Sequence, residues 1–409
     1  MSTMSEHTSD RFLPLSEPCL QGNEWQYVRE CLDSGWISSV GEFVNRFEQQ
    51  VAEYAGVKYA VATVNGTAAL HTALLVAGVR PDDEVLVSTL TFIATANAIR
   101  YAGAHPVLID CEPRWWQMDP QLAEDFLRRQ CHWVNGELRN RATGRRVSAM
   151  MPVHVLGHPV NLDAIEGLAR EFGLRLLEDA AESLGASWGD RRIGQAADIA
   201  CVSFNGNKTI TCGGGGMLLT NSREDAARAR YLTTQAKDDA VEYIHHEIGF
   251  NYRMTNVLAA IGLAQLEQLD GFVNRRRQIA EFYRSQLSVP GMTWHTDAPG
   301  ARSTSWLSTA LIDPFQTGIT AVQLRDQLQQ ARIQTRRLWQ PMHLSPAHAG
   351  CESVLNGTAD RLFAQALSFP STPNLQEEDL RRIVSRVAAL LSAAAPVPAP
   401  VQVPARRAA

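Results

Sequence analysis

Ile199-Ala200-Cys201-Val202-Ser203-Phe204-Asn205-Gly206-Asn207-Lys208-Thr209-Ile210-Thr211-Cys212 is followed by four glycines, Gly213–Gly216, and by Met217-Leu218-Leu219-Thr220. Ile199–Phe204 and Met217–Thr220 are short apolar runs of strand length, and the polar turn between them carries a lysine. A lysine just past a buried strand stands at the carboxyl edge of a sheet, where open α/β folds bind ligands. An amine held in such a cleft loses hydration, its pKa falls, and it becomes ready for imine chemistry. The same residues also read as a surface loop lysine beside a flexible glycine turn, so the rest of the chain has to decide.

Outward from this stretch the chain keeps a βα rhythm. Strands are predicted at Tyr59–Val64, Glu84–Ser88, Pro106–Asp110, Ala149–His154 and Leu174–Glu178, with helices at Gly66–Ala77, Ile93–Tyr101 and Asn161–Phe172. Short buried strands alternating with longer helices imply a mostly parallel sheet covered on both faces. An amphipathic helix at Val40–Tyr54 precedes the rhythm. Cys131–Arg146 interrupts it, with Asn135-Gly136 as a hairpin turn. Two long helical patterns follow from Asn256 to about Leu287, and Trp306–Ile312 with helices at Ala321–Gln330 and Glu377–Leu391 suggests a smaller α/β unit. The expected division is a large domain over 13–269 and a small one over 270–392, with disordered ends at 1–12 and 393–409.

Composition removes several function classes. A formal charge of −5 leaves no basic footprint for nucleic acid. No apolar run reaches membrane-spanning length, and the polar stretch Met1–Arg11 is no signal peptide, so the cytoplasm is the expected location. The 7 cysteines lack CxxC spacing, so neither a metal site nor a disulfide framework is expected. Of the 38 basic residues only Lys58, Lys208 and Lys237 are lysines. Because a Schiff base requires a primary amine, those are the candidates for imine chemistry.

Two further segments complement Lys208. Leu176-Leu177-Glu178-Asp179 ends a strand and brings a carboxylate to the same sheet edge. Such a group can hold the proton on the ring nitrogen of pyridoxal phosphate (PLP), and a helix N-cap before Ala180-Ala181-Glu182 is the plain alternative. Val64-Asn65-Gly66-Thr67-Ala68 is a strand-to-helix turn whose free N–H groups, helix dipole and Thr67 hydroxyl suit a phosphate. It carries neither GxGxxG nor GxxxxGK[ST], which argues against a dinucleotide or a P-loop.

Five motifs in order carry a resemblance: Ser34-Gly35-Trp36-Ile37-Ser38-Ser39, Asn65–Leu70, Glu178–Ser183, Ser203-Phe204 with Lys208 and the glycine turn, and Asn251-Tyr252-Arg253-Met254. From about Leu13 to Leu391 the chain resembles the DegT/StrS-type nucleotide-sugar aminotransferases, fold-type-I PLP enzymes with a mostly parallel seven-stranded sheet and a smaller C-terminal domain. The resemblance implies that Lys208 carries PLP as a Schiff base and moves the substrate proton. It implies that Asp179 pairs with the pyridinium, that Glu182 lies near the ring hydroxyl, and that Gly66, Thr67 and Ser203 bind the phosphate. Asn251 would reach the phosphate of a neighbouring subunit's cofactor, making the active unit a homodimer. Phe92 would stack on the ring, with a core aromatic as the alternative.

On the substrate side, Ser38, His154 in Val153-His154-Val155-Leu156-Gly157-His158, and His343 in Gln340-Pro341-Met342-His343 are candidates. A satisfied structural histidine is the alternative for His154. A sugar nucleotide brings a diphosphate, for which Arg253 is the first candidate and Arg336 or Arg337 the second. Asn205 and Gly214 replace the histidine and glutamate common in the family. With the 131–146 insert they resemble the branch that aminates C4 of UDP-linked 4-keto-6-deoxy-N-acetylhexosamines, with glutamate as donor. A GDP-linked 4-keto-6-deoxymannose or a C3-keto sugar is the alternative substrate, and a non-catalytic sugar-nucleotide-binding regulator the alternative class. Relatives that dehydrate sugars have histidine in place of the lysine, and Lys208 argues against that reaction.

Overall fold

The computed structural model describes residues 11–239 and 241–394; the expected disordered ends, apart from 11–12 and 393–394, lie outside the described residues. Seven strands form most of the main sheet: β1 (Tyr59–Thr63), β2 (Glu84–Ser88), β3 (His105–Ile109), β4 (Val147–Met151), β5 (Arg175–Asp179), β6 (Ile199–Ser203) and β7 (Gly216–Thr220). They run in the order β1-β7-β6-β5-β4-β2-β3, and Ser353–Val354 pairs parallel onto β3 as an eighth strand. Only β7 is antiparallel to its neighbours.

The apolar strand runs follow from burial on both faces. Val85 and Val87 of β2 point into one core, with Leu108, Met151 and Leu177. Leu86 points into the other, with Ile109, Met150 and Leu176, so successive residues serve opposite faces. β4 starts and ends earlier than the predicted Ala149–His154. Pro152 has no N–H for the ladder, and the chain then turns through Leu156, whose φ is 60°.

A second sheet, β8 (Met292–Trp294), β9 (Ser308–Ile312), β10 (Arg336–Arg337) and β11 (Ala366–Phe369), is antiparallel throughout in the order β8-β9-β11-β10. Helices Leu269–Gln286, Ala321–Gln330 and Glu377–Ala393 pack with it around Ile279, Leu324, Ile383 and Phe369. The chain crosses the expected boundary at 270 in both directions. Leu13, placed by sequence with the large domain, lies in this second core and exchanges backbone bonds with Arg332 and Gln334 at 2.8 and 2.9 Å. Ser353–Val354, placed with the small one, completes the main sheet.

The insert forms the hairpin Cys131–Val134/Glu137–Asn140, turned at Asn135 and Gly136, both with positive φ. Asn140 Nδ2 donates to Glu84 Oε2 at 2.8 Å and Arg146 Nε to Asp83 Oδ1 at 2.9 Å. The insert therefore braces the amino ends of the strands, opposite the edge where Asp179 and Ser203 emerge. Among the described residues no helix is long and apolar enough to cross a membrane.

Candidate active site

Beyond β6 the chain tightens into a turn in which Lys208 N donates to Asn205 O at 3.0 Å. Neighbouring elements clamp that turn. Trp306 Nε1 and Ser16 Oγ donate to Asn207 O at 2.7 and 2.9 Å, and the fully buried Arg276 reaches Lys208 O at 3.4 Å. With the backbone held, the Lys208 amine lies 4.6 Å from the centre of the Trp306 ring and donates to Glu182 Oε1 at 3.1 Å.

Asp179 ends β5, and its carboxylate is buried. Thr95 Oγ1 donates to Oδ2 at 2.6 Å and Ala181 N to Oδ1 at 3.1 Å. Burial nevertheless pushes the carboxyl pKa up; the two hydrogen bonds and the charges of Lys208 and His154 only partly oppose it. Glu182 is raised chiefly by burial as well, against the pull of Lys208, and its Oε2 accepts from Leu156 N at 2.9 Å.

On the facing side, Asn65 caps helix Gly66–Val76 by accepting from Ala68 N at 2.8 Å, leaving first-turn N–H groups without helical partners. A Cβ on Gly66 would stand 2.9 Å from Ser203 Cβ, and one on Gly216 2.4 Å from Asn65 O. Both glycines are thus required for β6 and β7 to lie against this helix start, which places the Ser203 hydroxyl beside it.

These groups line one cavity of about 440 Å³. A helix start with free N–H groups, a buried carboxylate with no bonded cation among the described residues and a primary amine surround the same space. The set is complementary to a ligand with a phosphate, a cationic ring nitrogen and a carbonyl, which is the chemistry of PLP.

Seven of the residues predicted for catalysis or cofactor binding line this cavity: Gly66, Thr67, Asp179, Glu182, Ser203, Lys208 and Phe92, the last at the mouth with 55% exposure. Four substrate assignments change. His154 also lines it but is fully buried; its Nδ1 accepts from Val160 N at 3.1 Å and its Nε2 lies 3.4 Å from Glu178, so it backs Asp179 rather than facing a substrate. Arg253 lies outside, its guanidinium bonded to the buried Glu48 and to Ala62 O. His343 is also outside, between Thr89 Oγ1 at 2.8 Å and Asp360 at 3.3 Å. Ser38 and Asn251 are exposed and away from the cavity of their own chain.

Thr95, Trp306 and Ser16 were not foreseen. The one available signal for Thr95 is its place a helical turn after Thr91, beside Phe92; the two threonine hydroxyls meet at 2.8 Å. Arg336 and Arg337 both line the cavity. Arg337 spends its guanidinium on Phe363 O at 2.5 and 3.0 Å, whereas Arg336 has no ion pair among the described residues.

The sequence profile of the DegT/DnrJ/EryC1/StrS aminotransferase family matches residues 18–388. The chain belongs to this family. Among its relatives are the GDP-perosamine synthases of Escherichia coli O157:H7, 37% identical, and Caulobacter vibrioides, 38% identical; the matches cover 90% and 91% of this chain and 96% of each relative. The crystal structure of the aminotransferase TlmJ from Streptoalloteichus hindustanus superposes with a TM-score of 0.84 at 29% identity, covering 93% of this chain and 99% of that one. This DegT/StrS-family protein is therefore a PLP-dependent sugar aminotransferase of nucleotide-sugar biosynthesis, with the α/β fold of that class.

Proposed function

We propose that the enzyme transfers the amino group of glutamate to C4 of GDP-4-keto-6-deoxymannose, yielding GDP-perosamine and 2-oxoglutarate. The observation that carries this reading is the pair of relatives named GDP-perosamine synthase, each alike over nine-tenths of the chain. The UDP-linked N-acetylhexosamine favoured by the sequence rested on Asn205, Gly214 and the 131–146 insert. That insert braces the far edge of the sheet and none of its residues lines the cavity, whereas Asn205 does.

Bound in the cavity, PLP supplies the electron sink that makes the proton on the nitrogen-bearing carbon removable. The first-turn N–H groups at Gly66 and Thr67, with the Thr67 and Ser203 hydroxyls, bind its phosphate. Asp179, whose ionised form the Thr95 and Ala181 hydrogen bonds favour against burial, pairs with the protonated ring nitrogen. Glu182 orients the Lys208 amine and lies toward the ring hydroxyl, and Phe92 covers a ring face. Lys208 Nζ would take the proton from the donor's nitrogen-bearing carbon in one half-reaction and, as the free base in the other, hand a proton to the sugar's C4. Arg336, which lines the cavity and has no ion pair among the described residues, binds the sugar's diphosphate.

The active unit in this reading is a homodimer. Trp36, Ile37 and Val40 beside Ser38, and Tyr243 and Ile248 near Asn251, are exposed apolar side chains of the kind an interface covers. The partner subunit's Asn251 then approaches the cofactor phosphate.

Incubation with glutamate and a panel of keto sugars, read by product mass, tests the assignment. Amination of the GDP-linked 4-keto-6-deoxymannose is expected. Turnover restricted to UDP-linked 4-keto or to C3-keto sugars overturns it.

A further inference from the structure

A second cavity, of about 340 Å³, opens between Tyr54 at the end of helix Glu42–Ala55, the Gly185–Ser187 strand entry and the first turns of helix Leu269–Gln286. It shares no lining residue with the active-site cavity. Three guanidinium groups, Arg192, Arg277 and Arg302, line it against one carboxylate, Asp270.

Arginines elsewhere on this surface are commonly met by acids: Arg191, next to Arg192, contacts both Asp163 and Glu166. Among the described residues none of the three cavity arginines has a carboxylate within ion-pair distance. Arg192 and Arg277 bond carbonyls instead. Arg277 donates from Nε to Ser303 O at 2.7 Å and from Nη2 to Gly185 O at 3.5 Å; Arg192 donates to Tyr54 O and lies 4.4 Å from the centre of the Tyr54 ring. Asp270 already accepts from Tyr54 OH at 2.7 Å. Arg277 is half-buried, and burial first, then the like charge of Arg302, lowers its pKa against the opposing charges of Asp297 and Asp270. Two of the three forks are thus held in place, and three guanidinium groups in the lining exceed the charge of Asp270 there and of Asp297 near Arg277.

We propose that this cavity is a second ligand site, for a diphosphate-bearing anion. Guanidinium forks match phosphate oxygens two at a time, several forks engage more than one phosphate, and the volume is that of a small-ligand site. Free pyrophosphate and the diphosphate of a nucleotide share this chemistry.

Calorimetric titration of the PLP-loaded enzyme with inorganic pyrophosphate, GDP and guanosine tests the site. Arg302→Glu and Arg192→Gln each weaken pyrophosphate binding by roughly ten- to a hundredfold, as loss of a charge-assisted bond requires. Arg336→Glu, in the other cavity, removes only the active-site fraction of pyrophosphate and GDP binding and leaves the Arg302-dependent fraction unchanged, and guanosine, lacking the diphosphate, does not compete for the latter. Melting curves and cofactor absorbance report whether each variant is folded, and the two cavity variants guard against failure of either one. GDP binding in the Arg302-dependent site as tightly as pyrophosphate, or more so, assigns a nucleotide; a preference for pyrophosphate assigns the free anion. Pyrophosphate binding that no cavity variant weakens, or that Arg336→Glu abolishes entirely, overturns the proposal. Because no keto sugar is used, the result stands apart from the substrate assignment.

Discussion

Thr95→Val removes a hydroxyl and little volume from the deepest part of the active site. Thr95 is 1% exposed and supplies one of the two hydrogen bonds received by Asp179, at 2.6 Å. A hydrogen bond to a buried charge contributes about 1.5–3 kcal/mol, so a loss near ~2 kcal/mol, roughly thirtyfold in affinity, is expected. Collateral damage is small, because Thr91 Oγ1, which also meets Thr95, keeps Phe92 O at 3.2 Å. The loss falls on the ionised form of Asp179, already disfavoured by burial, and so on its grip on the ring nitrogen's proton. Spectroscopic titration of the cofactor-stripped variant with PLP should show the weakening, with kcat/KM falling alongside. Thr95→Ser, which restores the hydroxyl, should recover most of it. A change under about threefold in PLP affinity refutes the reasoning.

Asp179→Asn should act in opposite directions on stripped and loaded protein. A carboxyl whose folded pKa is raised makes stability fall as pH climbs from its ordinary value of 3.8 through the folded one, since the folded state holds the proton longer. The stripped variant should therefore gain in melting temperature over wild type across that climb, while the PLP-loaded variant loses; a stripped variant that melts lower at neutral pH counts against the account. Lys208→Arg should end turnover with PLP still bound non-covalently, whereas Lys58→Arg and Lys237→Arg remain active, the latter keeping its place near the Tyr243 ring. Rates for all three decide, and turnover by Lys208→Arg would falsify the assignment of the amine. Arg253→Ala should destabilise by about 3 kcal/mol, the low end for a broken buried pair, because Arg230 and Ala62 N still serve Glu48. Denaturant unfolding measures this, and a large rise in KM for the sugar nucleotide with unchanged stability would return Arg253 to substrate binding.

What could be read from the residues tracks how local the deciding physics is. Glu84–Ser88 and Ala321–Gln330 lie where they were predicted, because double-faced burial and a capped amphipathic period are written in adjacent positions. The neighbourhood of Lys208, Asp179 and Thr67 was legible because each follows a strand, and strand ends share an edge. Thr95 was not, since its partner is 84 residues away and a helical threonine carries no mark of what it bonds. Arg253 misled for the same reason: the Asn251–Met254 motif is visible, but the carboxylate that claims its guanidinium is 205 residues upstream. The insert was visible as a hairpin; its distance from the chemistry depended on Asn140 meeting Glu84, a pairing that periodicity does not encode.

The pairing of Ser353–Val354 with β3 bears on how the chain is made. Until that segment leaves the ribosome, His105–Ile109 is an apolar strand with one open flank, the kind of edge that recruits other chains. Leu13 waits in parallel, since its core needs Ile333, Leu367 and Phe369. A nascent chain stalled before residue 353 carries both unfinished surfaces at once. Slow elongation through the last quarter of the message therefore favours aggregation over a stable half-product, and chaperone demand should peak there.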